Sequence, residues 1–237
     1  MTDQDLYDII ESARNYLFRS PTMDDKARNG EFKRAFIKFS DSGWIPYLNF
    51  SIPQIVNLSK HEPQWIDDYV YAYFVAKNFR ECKLVIKRLK KFRFDNPRYF
   101  TCAMTLYRKK EYMGCCMMIL ALIEQTISHV AGRNGAVLPR SKKTIENAFL
   151  HRRTPFGGYP EASTKYLLMT PFEKIMGEYF KSVSKDDPEP PTINRNMLMH
   201  GVARREYTHR DCIKLFVFLE FIGHLVWEED KHAQPTT

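Results

Sequence analysis

Nine consecutive residues, Cys115 to Ile123, carry no charged or strongly polar side chain, inside a helical stretch from Tyr112 to Ala131 that ends at Gly132. A helix that is apolar on every side has no face to give to water, so it belongs at the centre of a helical core. Other elements must then surround it. Glu124 follows the apolar run directly. A carboxylate there has to find a partner or face a cavity, because burying an unpaired charge is costly. It can equally mark the point where the helix emerges into solvent beside Gln125 and Ser128.

The rest of the chain supplies helical neighbours. No sustained period-2 alternation and no internal repeat occurs, so the fold class expected is all-α. Leu6, Ile9, Ile10, Ala13 and Leu17 give a helix over Asp3 to Phe18, and a second short one spans Asp24 to Phe39. The proline-marked stretch Ser42 to Pro63 is too apolar for a loose linker and is expected to pack on the core, with one short helix after Pro53. Trp65 to about Phe92 reads as one long helix, apolar at Ile66, Tyr69, Val70, Tyr73, Ala76 and Phe79. Asn96-Pro97 offers a cap and a first-turn proline for a helix to about Lys110, which forms a hairpin with the apolar helix. Residues 133–191 read as a long loop holding the basic pairs Lys142-Lys143 and Arg152-Arg153, with one helix from Pro171 to about Val183. Thr208 and Asp211 resemble a capping box that opens a last helix through Leu215, Leu219, Ile222 and Val226.

Composition narrows the setting. A chain of 237 residues with 44% hydrophobic and 27% charged residues can bury a core as one large domain or two small ones. The acidic start Met1-Thr2-Asp3-Gln4-Asp5 lacks a basic-then-apolar signal, which points to a cytoplasmic protein. No apolar run reaches membrane-spanning length; Ile213 to Trp227 comes nearest but contains Lys214, Glu220 and His224. Five cysteines without CxxC pairing read as reduced core thiols, and exclude a cysteine-based zinc site.

Charge is unevenly placed. Between Lys77 and Arg98 stand nine Lys or Arg against Glu81 and Asp95, a net +7 within a chain of net +8. The candidate RNA-binding residues are Lys83, Lys87, Arg88, Lys90, Lys91 and Arg93, interleaved with Phe79, Phe92, Phe94 and Tyr99 against which bases could stack. A solvated basic helix face accounts for the same pattern equally well.

The run Asn194-Arg195-Asn196-Met197-Leu198-Met199-His200-Gly201 places an arginine and a histidine five positions apart at a helix start. Asn194 is a credible N-cap. Arg195 and His200 would lie about 140° apart around an ideal helix, so they converge only if the arginine folds inward at the frayed end; Asn196 and His200 share a face. The spacing alone is weak, since 17 Arg and 7 His predict such a pair by chance in about every second chain of this length. A second copy, Arg204 to His209, crosses a turn before the last helix and reads as accidental.

In its setting the first copy resembles the HEPN family (higher eukaryotes and prokaryotes nucleotide-binding domains), whose hallmark is Arg-polar-x3-His, often with Asn second as Asn196 is here. The resemblance covers roughly Asp95 to Glu229. It implies an antiparallel four-helix bundle over 95–237 with an inserted loop at 133–191, preceded by an N-terminal helical extension over 1–94. It implies a homodimer and a metal-independent endoribonuclease, often a toxin or antiviral-defence effector restrained by an inhibitory or sensor partner. Arg195 and His200 match the catalytic pair and Asn196 the polar position between them. Glu124 matches an acidic residue that some members carry on an earlier helix. Val202 departs from a subgroup with tyrosine two residues after the histidine.

The residue chemistry fits that implication independently. Attack of a ribose 2′-OH on phosphorus needs one proton removed, one delivered to the 5′-oxygen, and a stabilised phosphorane. A histidine, with an ordinary pKa of about 6.5, serves either proton step, and arginine holds the non-bridging oxygens. One histidine does not easily do both at once; a two-fold dimer brings the second. No cofactor or metal is called for. HExxH, a phosphate-cradling glycine loop and a nucleophile elbow are all lacking from the sequence. The rival is a non-catalytic helical module that binds RNA or a protein through the basic strip.

Overall fold

A computed structural model describes residues 23–46, 50–92, 94–130, 161–182, 190 and 192–227. The expected helix over Asp3 to Phe18, the pairs Lys142-Lys143 and Arg152-Arg153, and Arg93 lie outside the described residues. Those described form helices and connections only, with no strand among them. In chain order the helices are α1 (Met23–Ser40), α2 (Ile52–Leu58), α3 (Pro63–Leu89), α4 (Pro97–Arg108), α5 (Tyr112–Val130), α6 (Glu161–Tyr179), α7 (Arg195–Met199) and α8 (His209–Trp227).

The apolar helix α5 takes the central place its composition demands. Cys115, Cys116, Ile119, Leu120, Leu122, Ile123 and Ile127 are all fully buried. It packs against α4, α7 and α8; α8 also meets α3, and α1 meets α2 and α6. The α4–α5 hairpin closes tightly because Gly114 has no side chain, and a Cβ there would stand 3.2 Å from Leu106 Cδ1. One continuous apolar cluster runs from Phe36 through Trp44, Phe74 and α5 to Ile222. Trp44, Ile45, Ile55 and Leu58 belong to it, as the apolar character of Ser42 to Pro63 requires.

Glu220 and Lys214 carry charge from helix α8 toward this core, and both are paired. Glu220 is fully buried and receives Arg88 from α3, with Arg88 Nη2 donating to Oε2 at 3.3 Å and Nε donating to Oε1. Lys214 Nζ donates to the Ser42 carbonyl at 2.9 Å, bridges to Asp67 at 3.0 Å and lies over the Trp44 ring. Burial pushes the Lys214 ammonium below its ordinary range, partly offset by Asp67. The Trp44 indole N–H also donates to Asp67, at 2.8 Å. One carboxylate thus ties the turn after α1 to α3 and α8.

Several elements differ from the sequence expectation. The long helix α3 is broken: Ala76 is extended, and Lys77, Asn78 and Phe79 all take left-handed backbone angles. No glycine or proline marks this break, and only Asn78 tolerates that conformation readily. Phe79 is therefore more than a third exposed instead of continuing the apolar stripe. Helix α6 starts ten residues before Pro171 and carries that proline inside it, so part of the expected loop is helical. A proline removes one backbone donor but does not by itself forbid the flanking turns. Asn96 stands at the N-cap of α4 but its side chain makes no capping bond. Cys102 is exposed, unlike the other four thiols, which are buried; all five are free.

Candidate functional site

The Arg195–His200 tract folds as a single short helix, α7, anchored by its buried Met197 and Leu198. Asn194 sets its start. The side-chain oxygen accepts the Met197 N–H at 3.0 Å, and its Nδ2 donates to the carbonyls of Lys181 (3.0 Å) and Glu178 (3.4 Å). One nearly inaccessible amide therefore caps α7 and stitches it to the C-terminal end of α6. Asn196 repeats the stitch, donating from Nδ2 to Lys181 O at 3.1 Å and Phe180 O at 3.3 Å.

Arg195 folds inward toward α5. Its Nη2 donates to Glu124 Oε2 at 2.9 Å and Oε1 at 3.3 Å, Nε donates to Oε2 at 3.3 Å, and Nη1 donates to Asn196 Oδ1 at 3.2 Å. Both ends of the ion pair remain about a fifth exposed. The fork geometry fixes the guanidinium plane as a lysine could not. Among the described residues one Nη1 N–H has no acceptor and is available to an oxyanion. Three of the four residues singled out from the sequence, Glu124, Arg195 and Asn196, thus meet in one hydrogen-bonded group.

His200 is placed differently. The helix stops at Met199, and His200 occupies the C-cap with its backbone N–H donating to the Asn196 carbonyl at 3.1 Å. Gly201 follows with φ +68°, the left-handed turn that only glycine takes freely. The His200 side chain is exposed and makes no hydrogen bond or ring contact among the described residues. Asn196 and His200 are joined by that i to i+4 backbone bond, while the Asn196 amide turns to the end of α6 and to Arg195.

The basic strip divides. Lys83, Lys87, Lys90 and Lys91 are exposed. Arg88 is not available in the same way, because it is committed to the buried Glu220, and a cation that leaves such a carboxylate strands a charge in the core. Two of the interleaved aromatics, Phe92 and Phe94, pack toward the core, while Phe79 and Tyr99 are partly exposed. Phe92 sits so close to α8 that a Cβ on Gly223 would lie 2.5 Å from its ring.

The second Arg-x4-His copy, set aside as accidental, contains the most enclosed histidine described. His209, in the first turn of α8, lies among Tyr71, Phe79, Tyr107 and Tyr112 with ring centroids 5.2–6.1 Å away. Tyr107 Oη is 2.5 Å from Nε2 and Tyr71 Oη is 3.4 Å from Nδ1. Burial holds the imidazole below its ordinary pKa and drives the Tyr107 hydroxyl up. The four rings come from α3, α4 and α5, so no local spacing in the sequence could reveal the cluster. Nearby, Asp211 accepts the Thr208 N–H at 2.8 Å and pairs with Arg205 at 2.9 Å, which supplies part of the expected capping box.

Among the described residues no group of three or more His, Cys, Asp or Glu side chains could hold a metal ion, and no helix is long and apolar enough to cross a membrane. No protein-family model, no curated protein and no solved structure matches the chain significantly.

Proposed function

We propose that this protein is a metal-independent endoribonuclease that cleaves RNA by attack of a ribose 2′-OH on the adjacent phosphorus. The observation that carries the reading is the convergence of Glu124 with Arg195 and Asn196 of the helix that ends at an exposed His200, whose side chain has no partner among the described residues. Glu124 and Asn196 are positioning residues: they orient the guanidinium so that its remaining N–H meets a non-bridging phosphate oxygen. Arg195 neutralises charge developing on the phosphorane. His200 takes the 2′-OH proton or delivers one to the departing 5′-oxygen. The other proton step falls to His200 of a second copy in a two-fold homodimer. The products are a 2′,3′-cyclic phosphate and a 5′-hydroxyl.

The antiparallel four-helix arrangement of the HEPN family, with the first 94 residues as an extension, is part of the same proposal. So are a cytoplasmic setting, a role as toxin or antiviral-defence effector, and an inhibitory or sensor partner. RNA would be drawn in by Lys83, Lys87, Lys90 and Lys91. The test is incubation of the purified chain with RNA in EDTA. Cleavage that leaves cyclic-phosphate ends and disappears in His200→Ala supports the reading; intact RNA under all conditions overturns it.

One observation favours a second reading. Arg195 is already neutralised by Glu124, as in an ordinary structural ion pair. The chain would then be a non-catalytic helical module that holds RNA or a protein partner. It predicts salt-sensitive binding that survives His200→Ala and weakens in Lys87→Ala or Lys91→Ala.

A further inference from the structure

The first turns of α3 and the residues just before them expose three aromatic rings in a column. His61 stacks on Trp65 with centroids 3.9 Å apart and planes 23° from parallel, and Trp65 stacks on Tyr69 at 5.2 Å and 15°. Trp65 and Tyr69, four residues apart, share one stripe of α3, and His61, in the bend just before the helix, extends the column by stacking on Trp65. Trp65 is 44% and Tyr69 45% exposed, and His61 is exposed as well. The imidazole at the end of the column has no further ring or hydrogen-bond partner among the described residues.

We infer that this column is a base-stacking platform for single-stranded nucleic acid. A stack of near-parallel rings that ends in an accessible plane is complemented by another flat ring, and every nucleobase offers one. The surroundings argue for bases over a protein partner. The large exposed hydrophobics of α3, Trp65, Tyr69 and Phe79, are all flat rings, the shape on which a base stacks. The nearby carboxylate Asp68 does not repel a phosphate chain freely. Arg210 donates to it at 2.8 Å, and that bond and one from Gln64 hold the carboxyl below its usual range. The exposed Lys60 precedes His61 in the chain, and the exposed Lys83 and Lys87 lie in α3 beyond its break, with the exposed Lys90 just past its end. The polymer class rests on the RNA reading above; the stacking geometry does not.

The experiment is titration of the full-length protein with oligodeoxyadenylate, which offers bases and phosphates but no 2′-OH to attack. Tryptophan emission and fluorescence anisotropy of the labelled oligomer are followed together. Trp65→Leu and His61→Ala are measured beside the unaltered chain, with circular dichroism to verify their folding, and polyphosphate of equal charge serves as the baseless control. The expected result is quenching by the oligomer but not by polyphosphate, absent in Trp65→Leu, with binding about tenfold weaker in Trp65→Leu and a smaller loss in His61→Ala. Oligomer binding that Lys87→Ala weakens and Trp65→Leu leaves unchanged overturns the platform and leaves the RNA reading standing. Emission that depends on protein concentration instead assigns the face to a second copy and also overturns it. Absence of all oligomer binding overturns it too. Stacking without RNA cleavage keeps the platform while removing the nuclease reading.

Discussion

Arg195-x4-His200 and Arg204-x4-His209 have the same spacing and opposite surroundings. In the first, the arginine is held by Glu124 and the histidine is exposed with no partner among the described residues; in the second, the histidine is enclosed by four rings and both its nitrogens face tyrosine hydroxyls. The difference teaches that spacing does not decide whether such a pair can do chemistry. Access does. A histidine at the end of a five-residue helix, followed by a left-handed glycine, is delivered outward, whereas one in the first turn of the core helix α8 is delivered into the packing.

The sharpest way to break this contrast is to remove each histidine in turn. His200→Ala is expected to lower RNA cleavage by about 10²-fold or more while changing stability by no more than about 0.5 kcal/mol. Equal loss of cleavage in folded His209→Ala would erase the distinction. For stability the order reverses: His209→Ala empties an aromatic box and strands two tyrosine hydroxyls, at about 2–4 kcal/mol by denaturant unfolding. A midpoint unchanged from the parent would show that the box contributes little. Next comes Asn194→Ala, which removes the α7 cap and the stitch to α6; about 0.5–2 kcal/mol is expected, with cleavage falling alongside because Arg195 loses its fixed starting point.

The smallest effect is in the pH dependence. Burial lowers the folded-state pKa of His209, so the unfolded chain binds its proton first as pH falls. The stabilisation is fully present above about pH 6.5 and declines below it, until the lower folded-state value is reached. His209→Phe should flatten that slope in unfolding midpoints measured between pH 7.5 and 5; the pH values here are about those that bracket the ordinary histidine range. A slope unaltered in His209→Phe would place the titrating group elsewhere.

What could be read from the sequence divides along physical lines. The centrality of α5 was legible because an all-round apolar helix has one solution, and the Asn194 cap because its side chain acts on a donor three residues away. The Glu124–Arg195 bond joins residues 71 apart, and only the interruption of an apolar run by a carboxylate hinted at it. The break at residues 76–79 left no trace, since Lys, Asn and Phe in sequence look like ordinary helix. Arg88 looked like any other cation in the basic strip because its partner, Glu220, is 132 residues away. The box around His209 left no trace for the same reason: its rings come from three other helices. Local chemistry is visible in a sequence; convergence is not.

The knot around Asp67 bears on how this chain can be shortened. Lys214 belongs to the last helix, but its carbonyl acceptor and its aromatic cover, Ser42 and Trp44, belong to the first turn after α1, and Tyr179 reaches the neighbouring Gly43 carbonyl at 3.3 Å. A fragment cut to leave only the helices from α4 onward would inherit an ammonium group in its interior with the carboxylate, the carbonyl and the ring all gone. Ser42, Trp44 and Asp67 form one half of a lock whose key, Lys214, is carried near the other end of the chain.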